Sequence, residues 1–114
     1  MKEMVTLIMV DLEAVCFQII TNVGAARSSF VMAIVAAKEG KFDEADRLME
    51  EGGEHFAKGH EEHLTLFASE VPKEFSAEHI LLIHAEDQLM SSESFKILAT
   101  EFIDLYRRLD KGQI

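Results

Sequence analysis

His84 and Asp87 stand three residues apart in the segment Leu81-Leu82-Ile83-His84-Ala85-Glu86-Asp87-Gln88-Leu89-Met90. On a helix that spacing places two side chains on one face, a turn apart. An imidazole and a carboxylate therefore emerge together from apolar surroundings. Two roles fit them. They are a satisfied polar pair at a helix–helix contact, or the imidazole is held ready as a nucleophile. A histidine of ordinary pKa, near 6.5, is partly unprotonated at neutral pH and attacks phosphorus readily. The phosphoramidate so formed passes its phosphoryl group on with ease, as a reusable covalent intermediate requires. No Gly-rich phosphate loop of the Walker kind is present. A phosphoryl group would have to arrive on another protein.

The other candidates are weaker. His60 and His63 lie three apart with Glu62 beside them, but a helical zinc protease needs His-Glu-x-x-His, with its imidazoles four apart. A structural or solvent-facing role suits His63. His55 and His79 stand among charged residues and join no constellation. Cys16 falls in an apolar stripe, where burial keeps a thiol unreactive.

Helices must position these groups. From Val5 to Ile20 the apolar residues are dense enough for a core helix, and Asn22-Val23-Gly24 either ends it or lies inside a longer one. Gly24-Ala25-Ala26 is small on every side and would admit a close neighbour. Lys38-Glu39-Gly40-Lys41 has the composition of a helix C-terminus closed by glycine. Asp43 opens an amphipathic segment with Ala45, Leu48 and Met49 on one face. Helical spacing continues through Gly52, Gly53 and Gly59 to Phe56, His60, His63, Leu64 and Phe67, although each interior glycine costs about 0.8–1 kcal/mol against alanine. The sole proline, Pro72, marks a loop over about 70–75. Ser76 follows as an N-cap with His79 in the place of the preferred Glu or Gln. The last segment ends in Arg107, Arg108 and Lys111, cations that suit a helix C-terminus. The expectation is an all-α domain covering 1–114, with three long antiparallel helices over about 4–38, 42–69 and 76–109.

Composition narrows the partners. A chain of 114 residues with 48% hydrophobic and 28% charged residues is one globular domain. Its formal charge of −10 argues against nucleic acid and against an anionic membrane surface, and suits a basic protein partner. One cysteine fits a reducing compartment. No secretory leader and no run of about 20 apolar residues is evident, so a cytoplasmic protein without direct membrane insertion is expected. The first helix is apolar on more than one side, and self-association would bury the excess.

The residues resemble a known family. Ile20-Thr21-Asn22-Val23-Gly24-Ala25-Ala26-Arg27-Ser28, Ala37-Lys38-Glu39-Gly40-Lys41-Phe42 with Ala45 after it, His60, and His84-Ala85-Glu86-Asp87-Gln88-Leu89-Met90 are similar to the IIA component of the lactose/cellobiose class of the bacterial phosphoenolpyruvate-dependent sugar phosphotransferase system. The likeness runs over about residues 4–109 in the same order and spacing. It implies three-helix protomers assembled as a parallel homotrimer, a nine-helix bundle. It implies that His84 accepts a phosphoryl group from the phosphocarrier HPr and passes it to a cysteine of the cognate IIB component, which serves the membrane IIC permease. It also implies that Asp87 from three protomers holds one divalent cation, magnesium, at the trimer axis. Oxygen ligands suit magnesium, and three crowded carboxylates would otherwise repel one another.

Three departures from the commonest form of the pattern stand out. Glu86 replaces a glutamine and Gln88 a histidine; Gln88 still donates through its amide but carries no positive charge. His63-Leu64 stands where Gln-Thr is frequent. Helical geometry turns residue 86 well away from 84, and His60 either lines the phosphoryl pocket or simply packs. The alternative function is a non-catalytic helical oligomer, a scaffold or regulatory relative in which His84 and Asp87 form a structural pair.

Overall fold

The computed structural model describes residues 11–66 and 74–113. Three helices account for nearly all of them: α1, Leu12–Lys38; α2, Phe42–Thr65; and α3, Ala77–Asp110. No strand occurs among the described residues.

Each helix begins and ends for a local reason. Asp11 is extended (φ −73°, ψ 100°) and its Oδ1 accepts from the Ala14 N–H at 3.1 Å, capping α1. The expected run of helix from residue 4 to 38 is therefore broken at Asp11, and residues 4–10 lie outside the described residues. At the far end Gly40 takes φ +79°, which a Cβ would oppose. The Lys41 N–H reaches Ala36 O at 2.9 Å and the Gly40 N–H reaches Ala37 O at 3.0 Å, a Schellman closure that stops α1 where the sequence placed its end. The helix α2 runs unbroken through Gly52, Gly53 and Gly59 to Thr65. Residues 67–69 of its expected course, and most of the expected 70–75 loop, lie outside the described residues. His79 takes the glutamate's part at the start of α3, its Nδ1 accepting from the Ser76 N–H at 3.2 Å.

The chain runs up, down and up. Asp46 pairs with Arg107 and His63 with Glu86, so α2 and α3 are antiparallel; Cys16 clusters with Ala85 and Leu89, and Ala33 with Ile103, so α1 and α3 are parallel. The longest stretch of packing is between α1 and α2, and α1 also lies along α3. Close approach comes from glycines that composition alone did not single out. A Cβ on Gly52 would lie 2.5 Å from Phe30 Cε1, and one on Gly59 2.5 Å from Val23 Cγ1. Gly24, expected to admit a neighbour, has no atom within 4 Å of its Cβ position.

The bundle is thin, 26 by 16 Å in its two short dimensions, and cannot cover all its apolar residues. Phe17, Met32 and Val35 on α1 and Ile83, Met90 and Leu98 on α3 are among the large apolar side chains left exposed. By length and composition α1 even qualifies as a membrane span, contrary to the expectation that no segment would; 39% of its most apolar window is buried within the protein.

Candidate functional site

Packing in the early turns of α3 decides which way His84 points. Ala85 is fully buried and Leu89 nearly so, both in a cluster with Leu12, Val15, Cys16, Ile19 and Val23 of α1. Those contacts fix the inward side of the helix. His84 and Asp87 consequently project outward, and both are exposed. Neither makes a hydrogen bond, ion pair or ring contact with any described residue, including each other. The structural pair offered as one reading of their spacing is therefore not formed. Asp87 lies on an outward face between Ile83 and Met90, which are 63% and 65% exposed. A carboxylate in such an apolar stripe, with nothing to bind it, is costly to cover without a partner.

Glu86 turns the other way. Two residues along a helix amount to about 200° of rotation, nearly the opposite side, as the sequence reading anticipated. There Glu86 Oε1 accepts from His63 Nδ1 of α2 at 2.6 Å, with side chains 34% and 21% exposed. Of the two roles expected of His63, it takes the structural one, through a hydrogen bond between helices. Positions 63 and 86, the sites of two of the departures noted with the resemblance, meet each other. Nothing in the linear sequence pairs them; the antiparallel register of α2 and α3 does.

His60 stands next to this contact and makes no hydrogen bond or ring contact with His84. Its ring stacks on Phe56 (centroids 6.3 Å apart) and on His63 (5.8 Å), while the residue remains exposed. His84 and His60 of one chain are not brought together. Gln88 is half-buried, with no hydrogen bond to a described residue. A further contact escaped the sequence reading: Arg27 Nη1 of α1 donates to Ser91 Oγ of α3 at 3.1 Å. Ser91 is seven residues beyond His84, two turns along the same face.

Among the described residues no group of three or more His, Cys, Asp or Glu side chains could hold a metal ion. A single chain offers Asp87 alone on the outward face between Ile83 and Met90. Cys16 is fully buried, and its thiol pKa is raised by burial first and then by the charges of Glu86 and Glu78. It is a core residue, as the apolar stripe indicated.

The up-down-up bundle thus presents an imidazole and a carboxylate together on an outer face that also carries Ile83 and Met90. Residues 14–107 match the family described as PTS system, Lactose/Cellobiose specific IIA subunit. The chain is 40% identical to the oligo-beta-mannoside-specific EIIA component of Bacillus subtilis, over 83% of this chain and 86% of that one. It is 36% identical to the lactose-specific EIIA component of Staphylococcus epidermidis, over 86% and 94% of the two. The crystal structure of the cellobiose-specific enzyme IIA from Bacillus anthracis superposes with a TM-score of 0.79 at 42% identity, covering 90% of this chain and 94% of that chain. The chain belongs to the lactose/cellobiose-specific IIA family of the phosphotransferase system, a component of sugar uptake.

Proposed function

We propose that this chain is the phosphoryl carrier between HPr and a cognate IIB component, and that His84 is the residue that carries the group. The exposed, unpartnered imidazole of His84 on a firmly packed helix is the observation that carries this reading. A ring nitrogen with a free lone pair attacks the phosphorus of phosphohistidine on HPr. The P–N bond to His84 forms as the donor P–N bond breaks, and the donor imidazole leaves with that electron pair. In the second step a IIB cysteine thiolate attacks, a P–S bond forms, and the His84 imidazole leaves with the electrons of its P–N bond. Gln88, one turn on, would donate to the phosphoryl oxygens through its amide. The IIB component then phosphorylates a disaccharide during passage through the IIC permease. The two transfers take place in the cytoplasm.

The working form is a homotrimer. Exposed apolar side chains along α1 and α3 supply its driving force. His60 makes no hydrogen bond or ring contact with the same chain's His84, so another copy would have to bring it to the phosphoryl pocket. Asp87 fits an axial role: it is an unpartnered carboxylate between Ile83 and Met90. Three copies would hold one magnesium ion, which supplies positive charge to offset the crowded carboxylates.

Incubation with labelled phosphoenolpyruvate, the general phosphotransferase enzyme and HPr tests the proposal. One acid-labile phosphate per chain is expected, absent from His84→Ala. Wild-type protein that stays unlabelled beside donors of proven activity overturns it.

A further inference from the structure

The hydrogen bond between His63 and Glu86 does more than join two helices. We infer that His63, acting through Glu86, is a positioning residue that sets the direction in which His84 faces its phosphoryl donor. This inference rests on the carrier role proposed for His84.

Three observations carry it. The contact is short, 2.6 Å, and its side chains are 21% and 34% exposed, so water competes weakly for the imidazole and only in part for the carboxylate. Glu86 lies between His84 and Asp87, so restraining residue 86 restrains the turn that holds both. His63 is itself held: its ring stacks at 5.8 Å on His60, which stacks at 6.3 Å on Phe56, a three-ring ladder along α2. The tether therefore ends on a braced ring.

The geometry explains why such a tether matters. Ala85 and Leu89 press α3 against α1 from the inward side, but apolar packing leaves a helix some freedom to roll. Glu86 adds a directional contact toward α2, and two restraints in different directions fix the roll. A roll of 20° would carry an atom about 6 Å from the helix axis through about 2 Å. Misplacement of a reacting group by about 1 Å can cost a hundredfold in rate. With the carboxylate as acceptor, the His63 ring donates from Nδ1. An amide oxygen at position 86 would accept the same bond, so the tether depends on the hydrogen bond and not on the charge of Glu86.

The test uses the full chain with HPr and the general phosphotransferase enzyme, following the initial rate of His84 labelling against phospho-HPr concentration. His63→Ala and Glu86→Ala should each lower the maximal rate about tenfold and leave the half-saturating concentration within about twofold of wild type. The double variant should be no slower than either single one, and Glu86→Gln should recover to within about twofold of wild type. Losses that multiply in the double variant, a change confined to half-saturation, or undiminished rates would overturn the inference. A second measurement needs no phosphoryl transfer. The His84 ring resonances of the unphosphorylated protein should shift in both alanine variants and hold in Glu86→Gln. Should wild-type protein take no phosphate, the carrier role falls on that result alone. The spectra then decide the tether, and His84 signals unmoved by His63→Ala refute it.

Discussion

Arg27 crosses from α1 to donate to Ser91 Oγ at 3.1 Å, on the same face of α3 that bears His84 two turns earlier. Ser91 is also four residues beyond Asp87, one turn away. The contact therefore brings a half-buried guanidinium from another helix onto the face that carries both candidate functional side chains. It also joins the parallel pair α1 and α3 well before their apolar contacts at Ala33 and Ile103.

Removing either partner should weaken the fold measurably. A hydrogen bond from a charged donor contributes about 1.5–3 kcal/mol when buried and less when half-exposed, so Arg27→Met and Ser91→Ala should each cost about 1 kcal/mol. Methionine keeps much of the apolar stem of arginine, which limits the loss to the polar head. Urea unfolding of the two single variants and the double should show coupling of about 0.5–1.5 kcal/mol. Fully additive losses would mean that the contact contributes nothing of its own.

The three mid-helix glycines of α2 should respond in opposite directions. A Cβ at Gly52 meets the Phe30 ring and one at Gly59 meets Val23, both at 2.5 Å, while Gly53 has open space. Gly52→Ala and Gly59→Ala should each destabilise by about 1–3 kcal/mol through overpacking. Gly53→Ala should stabilise by up to about 1 kcal/mol, the helix-propensity difference. Thermal unfolding midpoints check all three, and a stabilising Gly59→Ala would contradict the close approach of α1.

These glycines show where the sequence was readable and where it was not. Gly40 announces its role because a positive φ after a cationic last turn is a local need. Gly52 and Gly59 need a neighbour to explain them, and which face of α1 they meet depends on the whole bundle. The same division runs through the site. His84 and Asp87 share a face by helical period alone, so their common face was legible, but the packing of Ala85 and Leu89 is what turns it outward. The partnership of His63 with Glu86 and the reach of Arg27 to Ser91 depend on interhelical register, which no local pattern encodes. The apolar residues before Asp11 continue the helical pattern, so periodicity alone does not reveal the N-cap from which α1 starts at Leu12.

Cys16 should give the fold a pH dependence on the alkaline side. Burial, with Glu86 and Glu78 nearby, raises its thiol pKa above the ordinary value. The unfolded chain then releases this proton at a lower pH than the folded one does. Stability is fully present below about pH 8.5 and declines as pH climbs from the unfolded thiol pKa toward the folded one. The decline attributable to this group is at most about 1.4 kcal/mol per pH unit. Denaturant midpoints measured from neutral to mildly alkaline pH should fall more steeply in wild type than in Cys16→Ala. Parallel profiles would show that the thiol is not protected by folding.

Asp87 tests whether two residues one turn apart have separate jobs. Ile83 and Met90 flank it on the outward face, so Asp87→Leu extends an apolar stripe and removes a carboxylate that is costly to crowd. Replacing buried, paired charges by apolar groups of similar size is often neutral or stabilising by about 1–4 kcal/mol. The variant should therefore form the proposed trimer as readily as wild type, read by light scattering, and unfold at an equal or higher temperature. Its unfolding should ignore a chelator that lowers the midpoint of wild type, because the proposed cation would have no ligand. It should still accept phosphate from phospho-HPr, since the imidazole of His84 forms no bond to Asp87 that the substitution could break. The reciprocal variant, His84→Ala, should lose phosphorylation and keep the response to chelator. Dissociation of Asp87→Leu to monomers would show instead that assembly depends on the carboxylate and its cation. A trimer whose metal content is unchanged by the substitution would remove Asp87 from the metal site altogether.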